Sequence, residues 1–162
     1  MKLDLKKAGK LIGAIVLCHL AGLFGSLFTA PAIDSWYAGL VRPEFSPPNW
    51  IFAPVWLTLY TLMGISLYLV LEVKQAKQSK QKNFALGVFG IQLFLNAIWS
   101  YLFFGLQLPL YGLICIIALW IIIALMIFAF YKIKKTAAYL QLPYIIWVSI
   151  ATALNYFIWV LN

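Results

Sequence analysis

The sequence predicts an all-α fold: an integral membrane bundle of five transmembrane helices built from residues 1–162 as a single domain. Three observations carry this reading. The chain is 65% hydrophobic and only 10% charged, whereas a soluble domain keeps about a quarter of its residues charged to cover its surface. Its 12 Lys+Arg and 4 Asp+Glu fall into four short clusters, at 2–10, 34–44, 72–82 and 132–135. The uncharged gaps cover 11–33, 45–71, 83–131 and 136–162, each at least as long as the ~20 residues of helix that cross a bilayer core. A globular cytosolic enzyme is thereby excluded. So is a disulfide scaffold, because Cys18 and Cys115 lie inside apolar runs as small buried hydrophobes. The formal charge of +8 does not mark a nucleic-acid binder, since the basic clusters are short and lack interleaved aromatics.

Span 1 is expected at about 9–29. Lys6, Lys7 and Lys10 before it and Ala30-Pro31-Ala32 after it imitate a signal peptide, but the apolar run is too long for a signal core and is expected to be retained. His19, Gly22, Ser26 and Thr29 follow at steps of three, four and three, so they share a face whose small residues allow close approach. His19 reads as a neutral histidine bonded to a neighbouring helix. The loop 30–46 holds Asp34, Arg42, Glu44, Trp36, Tyr37, Phe45, Pro31 and Pro43. It is too aromatic for a linker and is expected to pack on the bundle as a lid.

Span 2, at 47–71, opens with Pro47, Pro48, Asn49 and Trp50, followed by Pro54. Pro54 lacks the N–H that would bond the Trp50 carbonyl, so a kink exposing Trp50 is expected. The third gap is too long for one crossing. Its FGLQLP segment at 104–109 places Gly105 at the end of one helix and Pro109 in the first turn of the next, giving spans 83–105 and 108–131. Span 5 follows at 136–160. In span 3, Gln92, Asn96 and Trp99 are spaced four and three apart on one face. In span 5, Trp147, Ala151 and Asn155 again share a face.

Counted by side, Arg42 stands alone against the eleven Lys of the N-terminus and the 72–82 and 132–135 loops. The positive-inside rule then sets the N-terminus in the cytoplasm and the C-terminus outside. The uncharged gaps leave His19 as the one group titrating near neutrality in the membrane. Proton-coupled transport, rhomboid-like proteolysis and metal-dependent hydrolysis all need more than that, and no metal or cofactor site is expected. On this topology Ser26, Thr29, Trp50, Trp99 and Tyr111 fall in the outer half, with Asn96 deeper and Ala151 and Asn155 level with it. An intramembrane site roofed by the lid would suit a large, flat, mostly apolar ligand. Spacing alone weighs this evenly against an interfacial aromatic belt with amides gluing helices together.

The run WYAGLVRPEFSPPNWIFAPVW at 36–56, then Leu59, Tyr60, Met63 and Gly64, resembles the signature of the TspO/MBR family of tryptophan-rich sensory and translocator proteins. Similarity continues through Gln92, Leu95, Asn96, Trp99, Phe103, Phe104 and Gly105, and through Pro143, Tyr144, Trp147, Ala151, Leu154, Asn155 and Tyr156. The resemblance implies a five-helix bundle, a homodimer, in a bacterial cell membrane. It also implies a pocket for porphyrins such as protoporphyrin IX and for isoquinoline or benzodiazepine ligands, formed by Ser26, Trp50, Gln92, Asn96, Trp99, Trp147, Ala151 and Leu154. Tyr111 stands where many relatives have tryptophan, and Asn155 joins the set from spacing. Eukaryotic relatives end helix 5 with a proposed cholesterol motif, an apolar residue, Tyr and then a basic residue; no basic residue follows Tyr156 here, so sterol recognition by that route is not expected.

The function expected is a membrane receptor that binds a porphyrin under a lid of Trp36, Tyr37, Arg42 and Pro43 and promotes its light-dependent oxidative degradation, with a stress-sensing or regulatory role. Trp50 and Trp147 are the expected photochemical pair, in place of conventional catalytic residues. The alternative is passive translocation of tetrapyrroles or lipids; five spans give no even inverted repeat and no coupling group for active transport. Gly87 and Gly90, roughly opposite Gln92 on span 3, are the expected dimer contact.

Overall fold

The computed structural model describes residues 5–74 and 79–162; Lys2, Asp4 and Lys77 of the charge clusters lie outside the described residues. Helix α1 covers Leu5–Ile33, α2 Phe52–Leu71, α3 Ser79–Ser100, α4 Pro109–Ile133, α5 Lys135–Tyr139 and α6 Leu142–Leu161. Short 3-10 turns occur at Tyr37–Gly39 and Asn49–Ile51, and α3 runs on into a π turn, Tyr101–Gly105. No strand occurs among the described residues. Five helical stretches are long and apolar enough to cross a membrane, and the protein is an integral membrane protein.

Boundaries differ from the charge-gap reading in three places. Helix α1 extends past 9–29 at both ends and takes Pro31 into its last turns, so the lid begins near 34. Helix α3 starts at Ser79 rather than 83, because polar residues outside an apolar core can still complete helical turns. The expected single span at 136–160 is broken: α5 ends at Tyr139, and α6 starts at Leu142 with Pro143 in its first turn. Proline supplies no N–H and its ring collides with the carbonyl four residues back, here that of Tyr139.

Helices α1 and α2 pack closely. A Cβ placed on Gly64 would come 2.5 Å from the Ile15 Cα, and one on Gly22 would overlap the Tyr60 ring. Small residues here let two backbones approach, as membrane helices require when hydrophobicity alone cannot drive them together. Helix α3 packs on α1 and α4, and α4 on α6. Gly87 and Gly90 face outward on α3, with nothing within 4 Å of an added Cβ.

The bundle has two distinct ends. At one, the Asn162 side chain accepts from the Val41 N–H (2.9 Å) and donates to the Val41 carbonyl (3.1 Å), joining the lid to the C-terminus. At the other, Lys82 Nζ donates to the carbonyls of Leu71 (2.6 Å) and Val73 (3.0 Å), a cation on the last carbonyl of α2 and on one just past its end. Lys10 Nζ lies 2.8 Å from Glu72 Oε1. That hydrogen bond, with the further charges of Lys7 and Lys74, holds the Glu72 carboxyl below its usual range.

Candidate functional site

The inner faces of α2, α3 and α6 meet in a polar chain. Gln92 and Asn96 of α3 are buried (0% and 1% exposed), as their spacing requires. Tyr60 of α2 donates its hydroxyl to Asn96 Oδ1. Asn96 Nδ2 donates to the Tyr144 hydroxyl of α6 (3.0 Å), and Tyr144 in turn donates to Gln92 Oε1 (3.0 Å). Higher up, Trp99 Nε1 donates to Asn155 Oδ1 (3.1 Å), and Asn155 Nδ2 donates to the Pro109 carbonyl (2.7 Å). Asn155 thus ties α3, α6 and the start of α4 together. Both asparagine orientations are set by donor and acceptor matching. His19 Nε2 meets Thr61 Oγ1 at 3.0 Å, while Thr61 donates to the Leu57 carbonyl, so His19 supplies the proton and joins α1 to α2.

Above this chain the site is walled by rings. Trp56 stacks on Tyr60 at 5.5 Å and lies 6.4 Å from Trp99 and 6.3 Å from Tyr144. Trp99 stacks on Phe103 at 5.7 Å, and Phe103 meets Phe104 edge-on at 4.8 Å. The lid rests on these rings: Trp36 is 5.4 Å from Phe103, and Tyr37 is 5.7 Å from Phe104. Tyr37 is 3% exposed. Burial raises its phenol above the ordinary value, against the opposing pull of Arg42. The Arg42 guanidinium lies 5.2 Å from the Tyr37 centroid and donates to Asn49 Oδ1 at 3.0 Å. Phe52 packs edge-on against Trp147 at 5.7 Å.

Tyr37, Phe52, Trp99, Phe103, Phe104, Ala151, Leu154, Asn155 and Ile158 enclose a cavity of about 20 Å³. That is room for about one water molecule and far too little for a flat polycycle. A ligand of that shape would enter only if the lid and the rings parted. Two buried groups toward the lid end lack a partner among the described residues: the Trp147 indole N–H and the Ser46 hydroxyl of the lid. Outside the lid, Leu40, Arg42, Pro43, Asn49 and Trp50 line an open groove of about 640 Å³.

Of the residues expected to form a site, the structure brings together Gln92, Asn96, Trp99, Ala151, Leu154 and Asn155, with Trp147 half-buried at the edge and Trp36 and Tyr37 above. It does not bring Ser26, Trp50 or Tyr111 into that group. Ser26 is exposed and spends its hydroxyl on the Leu23 carbonyl of its own helix (2.7 Å). Trp50, in a 3-10 turn ahead of Pro54, is 71% exposed, and Tyr111 at the start of α4 is 57% exposed. Trp50 has no ring contact with Trp147. Phe52, Trp56, Tyr60, Phe103, Phe104 and Tyr144 stand in the family-like motifs of the sequence but are not among the residues expected to form the site. Two signals were available: Tyr144 lies seven residues before Ala151 on the same inner stripe, and Trp56 and Tyr60 are four apart.

A sequence profile of the TspO/MBR family matches residues 14–160. The chain is 46% identical over 153 residues to the tryptophan-rich protein TspO of Archaeoglobus fulgidus, covering 94% of this chain and 97% of that one. Against tryptophan-rich protein TspO of Chlorobaculum tepidum, identity is 44% over 148 residues, 91% of this chain and 92% of the other. With the human translocator protein it is 36% over 148 residues, 91% and 87% of the two chains.

Proposed function

This chain belongs to the TspO/MBR family, and from that premise we propose that it is a membrane receptor for porphyrins such as protoporphyrin IX that promotes their light-dependent oxidative degradation. The observation that carries the reading is the Trp147 indole N–H, buried and unpartnered beside an aromatic-walled cavity that Tyr37 of the lid covers. A porphyrin sliding between Trp99, Phe103 and the lid exchanges ring-on-ring contacts for ring-on-macrocycle contacts of the same kind, so opening loses little. Its acceptor atoms meet Trp147 Nε1, its carboxylates meet Arg42 at the lid, and the Tyr60–Asn96–Tyr144–Gln92 chain forms the floor. An isoquinoline or benzodiazepine ligand fits the same walls.

Light excites the bound porphyrin, and a neighbouring indole donates an electron to it or traps the reactive oxygen it forms. Trp147 does this inside the site, and Trp50 does it at the mouth, where the opening lid brings the macrocycle past it. Occupancy moves the lid, which gives a stress-sensing output. The receptor sits in a bacterial cell membrane with its N-terminus cytoplasmic, and a second copy covers the Gly87 and Gly90 face. A second reading, passive translocation, is favoured by the relatives named translocator protein.

The test is titration of protoporphyrin IX into the protein in lipid nanodiscs, following tryptophan quenching in the dark and the porphyrin band under illumination. Saturable quenching with protein-dependent bleaching is expected. Trp147→Phe should weaken both, and Trp50→Phe should spare binding and slow bleaching. Binding with no bleaching leaves a receptor or conduit, and absence of saturable quenching removes the reading altogether.

A further inference from the structure

Near the basic end, the break in the fifth crossing carries a buried amide. Gln141 lies in the turn between α5 and α6 and is 0% exposed. Among the described residues, neither its Oε1 nor its Nε2 has a partner. Its backbone is already used: the N–H donates to the Ala138 carbonyl (3.0 Å), and the carbonyl accepts from the Ile145 N–H (3.2 Å). The unmet groups therefore belong to the side chain alone. A leucine would fill an apolar interior here without stripping an amide of its hydration for nothing in return.

A second buried amide, on α3, is in the same condition. Tyr144, three residues on and also fully buried, gives its hydroxyl to Gln92 Oε1, and Gln92 Nε2 is the other unmet side-chain amide in the core. Side chains on a helix lean toward its N-terminus, which carries the Tyr144 hydroxyl and the Gln92 amide bonded to it back toward the Gln141 turn. From α2, the buried Ser66 hydroxyl donates to the Ala137 carbonyl at 2.7 Å and keeps its lone pairs as acceptors.

We propose that the α5–α6 break is a hydration site, in which water seated on the Gln141 side chain bridges to Gln92 Nε2. The chemistry of the unmet groups selects the guest. They comprise two donor groups and one acceptor, so the guest must both accept and donate. A carboxylate or phosphate accepts only, and would bury a charge with no cation in contact. A lipid tail satisfies none of them. Water is neutral, small and amphoteric, and it is what restores hydrogen bonding where a proline interrupts a membrane helix. The hydrated break then continues the polar line of Tyr144, Asn96 and Tyr60 toward the basic end, giving the floor of the upper site a partner that can reorient.

Water-edited solid-state NMR on the full ¹⁵N-labelled chain in lipid bilayers tests this independently of any porphyrin. Polarisation from water should reach the side-chain amides of Gln141 and Gln92 at mixing times that also reach the exposed Gln107. In Gln141→Met, which keeps the volume and removes the amide, the Gln92 transfer should fall at least tenfold. No transfer to the Gln141 amide in the unaltered protein overturns the site, whatever the variant does. Transfer to Gln92 that survives Gln141→Met overturns the bridge.

Discussion

The two ends of the bundle are closed by different chemistry. At the lid end, Trp36 and Tyr37 rest ring against ring on Phe103 and Phe104, with Asn162 and Asn49 as the polar fastenings of Val41 and Arg42. At the basic end, Lys82 is seated on two carbonyls and Lys10 on Glu72. Ring contacts are interchangeable, because any flat π surface of the right size can take the place of either partner. A lysine on the orphan carbonyls of a helix end has no such substitute inside a flat ligand. On the proposed function, the contrast would place opening at the lid end and anchoring at the basic end.

The sharpest way to break this contrast is Phe103→Ala. Phe103 is 2% exposed and touches Trp36, Tyr37, Trp99 and Phe104. Truncating a buried phenylalanine costs about 3–5 kcal/mol, to be read by equilibrium unfolding in mixed micelles. The void also adjoins the existing cavity, so porphyrin association should become faster even as stability falls. If association slows, the rings guide entry and do not block it.

Next in size is Asn96→Leu, which strands the buried hydroxyl of Tyr60 and takes one donor from Tyr144, whose own hydroxyl still donates to Gln92. Unmet buried groups of this kind cost roughly 1–3 kcal/mol. Asn96→Leu should destabilise the bundle without changing exchange in the lid, and a lid amide that exchanges faster would show the floor and roof to be coupled. Smaller again is Asn162→Ala. It frees both backbone groups of Val41, each bond contributing about 0.5–1.5 kcal/mol net, so hydrogen exchange at Val41 should accelerate several-fold while α2 amides near Glu72 keep their rates.

These predictions rest on residues of unequal legibility. The five crossings could be read from the charge gaps because lipid imposes helix and forbids charge. Gln92, Asn96 and Trp99 could be placed on one face because helical period alone does that. The ring walls were less visible: Phe103 and Phe104 stand in an apolar run where periodicity carries no contrast, and they line the cavity because the π turn rotates the end of the third crossing. Tyr60 and Tyr144 are bonding partners only once α2 and α6 are packed on α3. Trp50 looks like a pocket residue in sequence, yet the 3-10 turn before Pro54 aims it at the groove.

The smallest effect belongs to the basic end and is a matter of pH. The Glu72 carboxyl is held below its ordinary value of 4.5, chiefly by the Lys10 hydrogen bond. A carboxyl whose folded value is depressed favours the folded state above its unfolded value, and that contribution is lost as pH falls through the folded one. Unfolding measured from pH 7 downward should therefore show a loss beginning near 4.5. Glu72→Gln should remove this component. Both side chains are at the surface, so added salt should shrink it further. The ring contacts of the lid carry no matching dependence, because burial raises the Tyr37 phenol and keeps it neutral throughout that range. Acid should thus loosen the Lys10–Glu72 end while the Tyr37 contacts hold. If acid instead frees the Val41 amide in Glu72→Gln, then the fastening of the lid itself titrates, and the division between an opening end and an anchored end fails.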